Sequence, residues 1–177
     1  MNAYIALFRA INVGGNNPLS MKALVELLED MGLRNVRTYI QSGNAVFDSD
    51  AKDVASLVKS ISAAIKKGHG FTPQLIVLRS AELMKAIHSN PYPEAESEPA
   101  TLHVTFLSAA PKQPDLRALN AVKAANERFT LQGKLFYLHA PDGIGRSKLA
   151  ALIEKALGVP GTARNWRTIV KLAELSR

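Results

Sequence analysis

Apolar residues recur along this chain at two spacings, and the two alternate. Tyr4 to Arg9 is a short apolar run with aromatics, which predicts a buried strand. It empties into the turn-rich stretch Ala10 to Leu19, after which Met21, Leu24, Val25, Leu28 and Met31 make one face of a helix that Ser20 caps and Gly32 ends. Val36 to Gln41 and Ala45 to Asp48 flank Ser42-Gly43-Asn44, a sequence suited to a short hairpin loop. A second helix is expected from about Asp53 to Lys67, with Val54, Leu57, Val58, Ile61 and Ile65 on one stripe, and Gln74 to Arg79 reads as another apolar strand. The order is βαββαβ, that of the ferredoxin-like motif.

The second half repeats the plan. A short helix capped by Ser80 leads into Asn90-Pro-Tyr-Pro-Glu-Ala-Glu-Ser-Glu-Pro99, whose prolines and acids read as a connector. Leu102 to Leu107 then predicts a strand, Asp115 to Ala125 a helix, and Arg128 to Leu131 with Leu135 to His139 a hairpin around Gln132-Gly133-Lys134. Ser147 to Leu157 is helical, and Trp166, Ile169, Val170 and Ala173 place a helix at the end where the first half has a strand. The expected fold is therefore α+β: two ferredoxin-like βαββα(β) lobes in tandem, with helices packed on antiparallel or mixed sheets. The expected boundaries are a first lobe over 1–90, a connector over 91–100 and a second lobe over 101–177.

Composition narrows the function classes. The chain has 177 residues, 47% of them hydrophobic, enough to bury a sizeable core, so disorder of the whole chain is excluded. No window approaches the roughly 18 to 20 apolar residues of a membrane span, and Met1-Asn2-Ala3-Tyr4 opens no signal segment. With no cysteine there is no disulfide, thiolate metal site or cysteine nucleophile, and a cytoplasmic location is the expectation. A net charge of +7 biases the surface toward polyanions, although a basic surface that is merely solvated accounts for it equally simply.

Three segments carry a family likeness: Arg9-Ala-Ile-Asn-Val-Gly-Gly15, Val36-Arg-Thr-Tyr-Ile-Gln-Ser-Gly-Asn44 and Thr162-Ala-Arg-Asn-Trp-Arg-Thr168, with Gly145-Arg-Ser-Lys148 as a shorter fourth. Through them the chain resembles, over nearly its whole length, the bacterial family catalogued as domain of unknown function 1697. Ala10, Ala163 and Arg167 stand where that family would have glycine, threonine and asparagine. The resemblance implies a bacterial cytoplasmic protein, an α+β fold with ferredoxin-like parts, and no assigned activity.

The same segments hold the residues whose chemistry suits an anion. In the Ala10 to Leu19 loop, Gly14 and Gly15 let backbone amides approach a ligand, Asn12, Asn16 and Asn17 offer side-chain amides, and the helix that follows begins at an electropositive end. Neither GxxxxGK[ST] nor GxGxxG is present, and a tight chain path explains the glycines equally well. On the first hairpin, alternation puts Arg37, Tyr39 and Gln41 on one exposed face and Val36, Thr38 and Ile40 on the other. Arg37 with Tyr39 could hold phosphate and stack a base, yet the aromatics of an RNA-recognition module are missing, and cross-strand packing beside a solvated arginine accounts for them as well. Gly143-Ile-Gly145-Arg-Ser-Lys148 places Arg146, Ser147 and Lys148 at a helix start, where Ser147 also serves as a plain N-cap. Near the end, Arg164, Asn165 and Arg167 flank Trp166, whose apolar stripe partners make it a core anchor.

Metal and hydrolytic chemistry find no support. His69, His88, His103 and His139 are scattered without HxxxH or HExxH spacing, Asp48, Asp50 and Asp53 lack the glycine and glutamate of a calcium loop, and no Gly-x-Ser-x-Gly elbow occurs. No cofactor or metal is expected. The leading expectation is a binding protein for a phosphate-bearing ligand, either nucleic acid or a small molecule. The candidates are Arg9, Asn12, Gly14, Gly15, Arg37, Tyr39, Gln41, Ser42, Asn44, Arg146, Ser147, Lys148, Arg164, Asn165 and Arg167. The alternatives are an enzyme acting on a small anionic metabolite and a module that forms a homodimer, with no membrane partner.

Overall fold

The computed structural model describes every residue except Asn16 and Ser42. The chain divides into two compact units, Met1–Lys85 with Val170–Arg177, and Ala86–Ile169. In the first, β1 (Asn2–Arg9), α1 (Met21–Asp30), β2 (Arg34–Thr38), β3 (Asn44–Ser49), α2 (Val54–His69) and β4 (Gln74–Arg79) follow the expected βαββαβ order. The sheet is antiparallel with strand order β2-β3-β1-β4.

Local chemistry fixes where these helices begin and end. The Ser20 side chain accepts from the Ala23 N–H at the start of α1, and Asp53 accepts from Ala55 and Ser56 at the start of α2. Each such cap contributes about 1 kcal/mol. Gly70 closes α2 in the left-handed conformation. Leu24 and Leu28 of α1 and Leu57, Ile61 and Ile65 of α2 are buried against Tyr4, Ala6, Phe8, Ala45 and Phe47 on one face of the sheet. On its opposite face Ile5, Leu7 and Val46 are buried too, so β1 is shielded on both sides.

The second unit is built from β5 (Leu102–Leu107), α4 (Leu116–Val122), β6 (Arg128–Gln132), β7 (Leu135–His139), α5 (Lys148–Leu157) and β8 (Gly161–Asn165), with strand order β6-β7-β5-β8, again antiparallel. The strand β8 corrects the expectation that the second half ends in a helix alone. It pairs with β5 from His103 opposite Asn165 to Leu107 opposite Gly161. Its sequence, Gly-Thr-Ala-Arg-Asn, carries no apolar alternation, so nothing in periodicity reveals it. Leu119 of α4 and Leu149 and Ile153 of α5 pack on Phe136 and Leu138, and Phe129 stacks on Phe136 at 5.3 Å between ring centres.

A helix follows each final strand: α3 (Ser80–His88) after β4, and α6 (Trp166–Leu175) after β8. Trp166, Ile169, Leu172 and Ala173 are buried in α6, whereas Val170, expected on the same stripe, is exposed. Between α3 and β5, residues 90–99 include the 3-10 turn Pro93–Ser97. This stretch is fastened to its own sheet where Tyr92 bonds Thr130 at 2.8 Å, and Tyr137 of β7 donates to the Ala86 carbonyl of α3 at 2.7 Å. Burial holds the Tyr137 phenol up at about 12, so it stays a neutral donor. Among the described residues no helix is long and apolar enough to cross a membrane.

Gly43 leaves no room for a side chain. It sits at φ 87°, and a Cβ there would come within 2.5 Å of Ile11 Cδ1 and 2.8 Å of Phe8 Cβ. Gly133, in the second hairpin, also has positive φ but meets nothing within 4 Å. Gly43→Ala is therefore expected to cost about 3 kcal/mol, from overpacking and left-handed strain together, against about 1 kcal/mol for Gly133→Ala. Urea unfolding of the two variants measures the difference; equal losses would mean that the contact with Ile11 relaxes freely.

Candidate functional site

Where β1 ends and the β2–β3 turn begins, the first unit carries two loops in unusual backbone conformations. Five non-glycine residues among those described have positive φ, and Ala10, Asn12, Asn17 and Ile40 all lie here. Gly14, Gly15 and Gly43 share that geometry. Asn and Gly tolerate it, but Ile40 is β-branched, and φ 53° there costs about 1 to 2 kcal/mol. Backbone held in this way persists only where its surroundings over-determine it, and such positions cluster at functional sites.

The side chain of Asn12 supplies much of that determination. Its Nδ2 donates to the Leu19 carbonyl at 2.6 Å and to the Gln41 carbonyl at 3.1 Å, while its Oδ1 accepts from the Leu19 N–H at 2.8 Å. One amide thus closes the β1–α1 loop on itself and ties it to the hairpin turn. Asn17 Nδ2 donates to the Ala10 carbonyl at 3.2 Å, and the Phe8 N–H donates to the Gly43 carbonyl at 2.9 Å.

Arg9, Asn12, Gly14, Gly15 and Gln41 are thereby brought to one end of the first sheet, with Arg9 half-buried and the others exposed. Asn44 serves the turn from inside: it is fully buried, its Nδ2 donates to the Tyr39 carbonyl at 2.9 Å and its own carbonyl accepts from the Tyr39 N–H at 3.0 Å. Arg37 lies further along β2, in register with Val46 and on the sheet face away from α1 and α2, exposed. The expected alternation fails at Ile40, because β2 ends at Thr38 and the left-handed turn swings Ile40 outward to 49% exposure. Ser42 and Asn16 lie outside the described residues.

The remaining candidates belong to the second unit. Ser147 caps α5 by accepting from the Ala150 N–H at 3.0 Å, between the exposed Arg146 and Lys148. Asn165 caps α6 by accepting from the Thr168 N–H at 3.0 Å, and Arg167 is exposed. Arg164 is half-buried in β8 and donates to Thr162 Oγ1 and the Ala163 carbonyl; burial lowers it to about 10, so it remains charged at neutral pH.

Two features are not foreseeable from spacing along the chain. One is a polar cluster on the second sheet: Arg128 pairs with Glu94, bonds His139 Nδ1 at 2.9 Å and stands 4.7 Å above the Tyr92 ring. Arg128 holds the exposed Glu94 carboxyl below its ordinary range. Tyr92 and Glu94 lie too far in sequence from Arg128 and His139 for any spacing motif to join them. The other is exposed apolar surface at Val13 and Ile40, 58% and 49% accessible. Among the described residues, no group of three or more His, Asp or Glu side chains could hold a metal ion.

Family comparison places this arrangement among relatives. The family described as protein of unknown function (DUF1697) matches residues 1–137, which include both loops. The chain belongs to that family. Its fold is similar to that of a solved chain described as a conserved bacterial protein from Streptococcus pneumoniae, with a TM-score of 0.70, 24% identity, and 99% of each chain covered. No curated protein is similar to the chain. For this DUF1697 member, then, the likeness fixes the fold and leaves the loops to be read by their own chemistry.

His103, on β5 opposite Asn165, is the one buried titratable group with an unsatisfied atom: its Nδ1 has no hydrogen-bond partner among the described residues. Burial pushes the imidazole below its ordinary value of 6.5, partly offset by the Thr101 backbone. The folded state therefore holds the neutral ring, and the unfolded chain takes up the proton first as pH falls below 6.5. Stability should be intact above that pH and decline below it. Thermal melts between pH 5 and 8 are expected to show this decline, and His103→Leu should flatten it; an unchanged acid slope in the variant would assign the loss elsewhere.

Proposed function

We propose that the two loops at the end of the first sheet bind a phosphate-bearing ligand. The observation that carries this reading is the pair of exposed loops, held in left-handed turn conformations by Asn12, in a stretch of chain without acids. Turns of this kind can present successive backbone N–H groups as an anion-binding concavity, and the N-terminus of α1 adds a favourable dipole. Residues 9–25 and 34–47 contain Arg9, Lys22, Arg34 and Arg37 and no Asp or Glu, with Glu26 standing 3.8 Å from Lys22 and Asp48 in register with Arg34, so the balance of charge there is positive.

Gly15 supplies the sharpest test. At φ 76° with nothing within 4 Å of an added methyl, Gly15→Ala costs about 1 kcal/mol of backbone strain and projects a group into the open space of the loop. Fluorescence anisotropy with a labelled abasic phosphodiester oligomer, at two salt concentrations, should show salt-sensitive binding by the wild-type chain. Arg9→Ala/Lys22→Ala should weaken it about tenfold or more and lower the salt slope by about one for each phosphate no longer engaged. Gly15→Ala should weaken it while the fold still melts cooperatively. Wild-type affinity in both variants would move the anion site away from these loops.

A further inference from the structure

The same loops carry a feature that phosphate alone does not use. Of the large hydrophobic side chains exposed among the described residues, Val13 and Ile40 are the two found in these loops, and apart from Met1 they are the most accessible of all. They sit next in sequence to Asn12 and Gln41, which are hydrogen-bonded to each other across the two loops. Consecutive Cα atoms are about 3.8 Å apart, so each of the two apolar residues lies one residue from the bond that joins the loops. Ile40 is presented there on a left-handed backbone that its β-branched side chain disfavours, and neither burial nor conformational preference selects an isoleucine at that point. Tyr39, the preceding residue, is half-buried beside it.

We propose, resting on the phosphate reading above, that the ligand is single-stranded nucleic acid and that Val13 and Ile40 form the apolar contact for one of its bases. Flat base faces need apolar surface beside a cationic track for the phosphates, and a base held this way can be of any sequence. Arg9 and Arg37, both placed by strand alternation on the sheet face away from α1 and α2, supply the track. A lipid surface would need more: the side chains of one valine and one isoleucine have fewer carbons between them than a single myristoyl chain, which itself gives only marginal binding. Duplex nucleic acid keeps its bases stacked inward and offers nothing to this contact.

The experiment compares labelled single-stranded oligonucleotides with and without bases at equal length and salt, using the full chain and a Val13→Ser/Ile40→Asn variant. Asparagine tolerates the left-handed conformation at position 40, so the turn is retained while its apolar surface is removed. The wild-type chain is expected to bind the base-containing strand about tenfold more tightly than the abasic one, and the variant to bind both at the wild-type abasic affinity. Equal wild-type affinity for the two strands overturns the base contact and leaves the phosphate reading standing. Binding of neither strand overturns both. Tighter binding to duplex of the same length, or to anionic phosphatidylserine vesicles, overturns the assignment of single-stranded nucleic acid as the ligand.

Discussion

How closely Gly43 approaches the end of β1 governs the arrangement of the first unit. The Phe8 N–H reaches the Gly43 carbonyl, and the space where a side chain would stand is taken by Ile11 and Phe8. Because Ile11 is fully buried at that contact, the chain cannot leave β1 by an ordinary route. It turns through Ala10 and Asn12 in left-handed conformations, and Asn12 then satisfies the backbone groups that this turn leaves open. Buried packing on one side thus forces irregular, polar backbone on the other, and the irregular side is where ligand chemistry becomes available.

Sequence periodicity made much of the fold legible. The stripe Leu57, Ile61 and Ile65 with Asp53 ahead and Gly70 behind specifies α2 by face, start and stop. The signal fails where burial is decided by pairing partners rather than by local pattern. The polar strand β8 exists because β5 offers it an unpaired edge, and no alternation within Gly161–Asn165 encodes that. Ile40 was legible as part of an alternating strand, and the alternation is broken by a turn whose glycine is fixed through contacts with Phe8 and Ile11, far earlier in the chain.

The candidate residues were legible in type but only partly in grouping. Asn12 and Gln41 meet because one asparagine side chain joins two loops, an arrangement that a glycine-rich and asparagine-rich stretch suggests without specifying its partner. Asn44 looks from sequence like its neighbours yet is engaged inside the turn, and Ser147 and Asn165 are engaged as helix caps. The two units repeat one plan of elements, but their glycine-rich loops fall at different steps of it: after β1 in the first unit and after β7 in the second. The repetition is of scaffold and does not extend to where the loops fall.

The first unit is also discontinuous, since Val170–Arg177 completes what Met1–Lys85 begins, with Leu172 and Ala173 buried and Ser176 bonded to Ser80 at 2.8 Å. At synthesis rates of roughly 5 to 20 residues per second, this closing segment follows Lys85 out of the ribosome only after several seconds, once the whole of the second unit has been made. The second unit is continuous in sequence, whereas the first needs a segment made after it. The unit that begins first in the chain is thus the last to be complete in synthesis, since every residue of the second unit is joined before the first has all of its own.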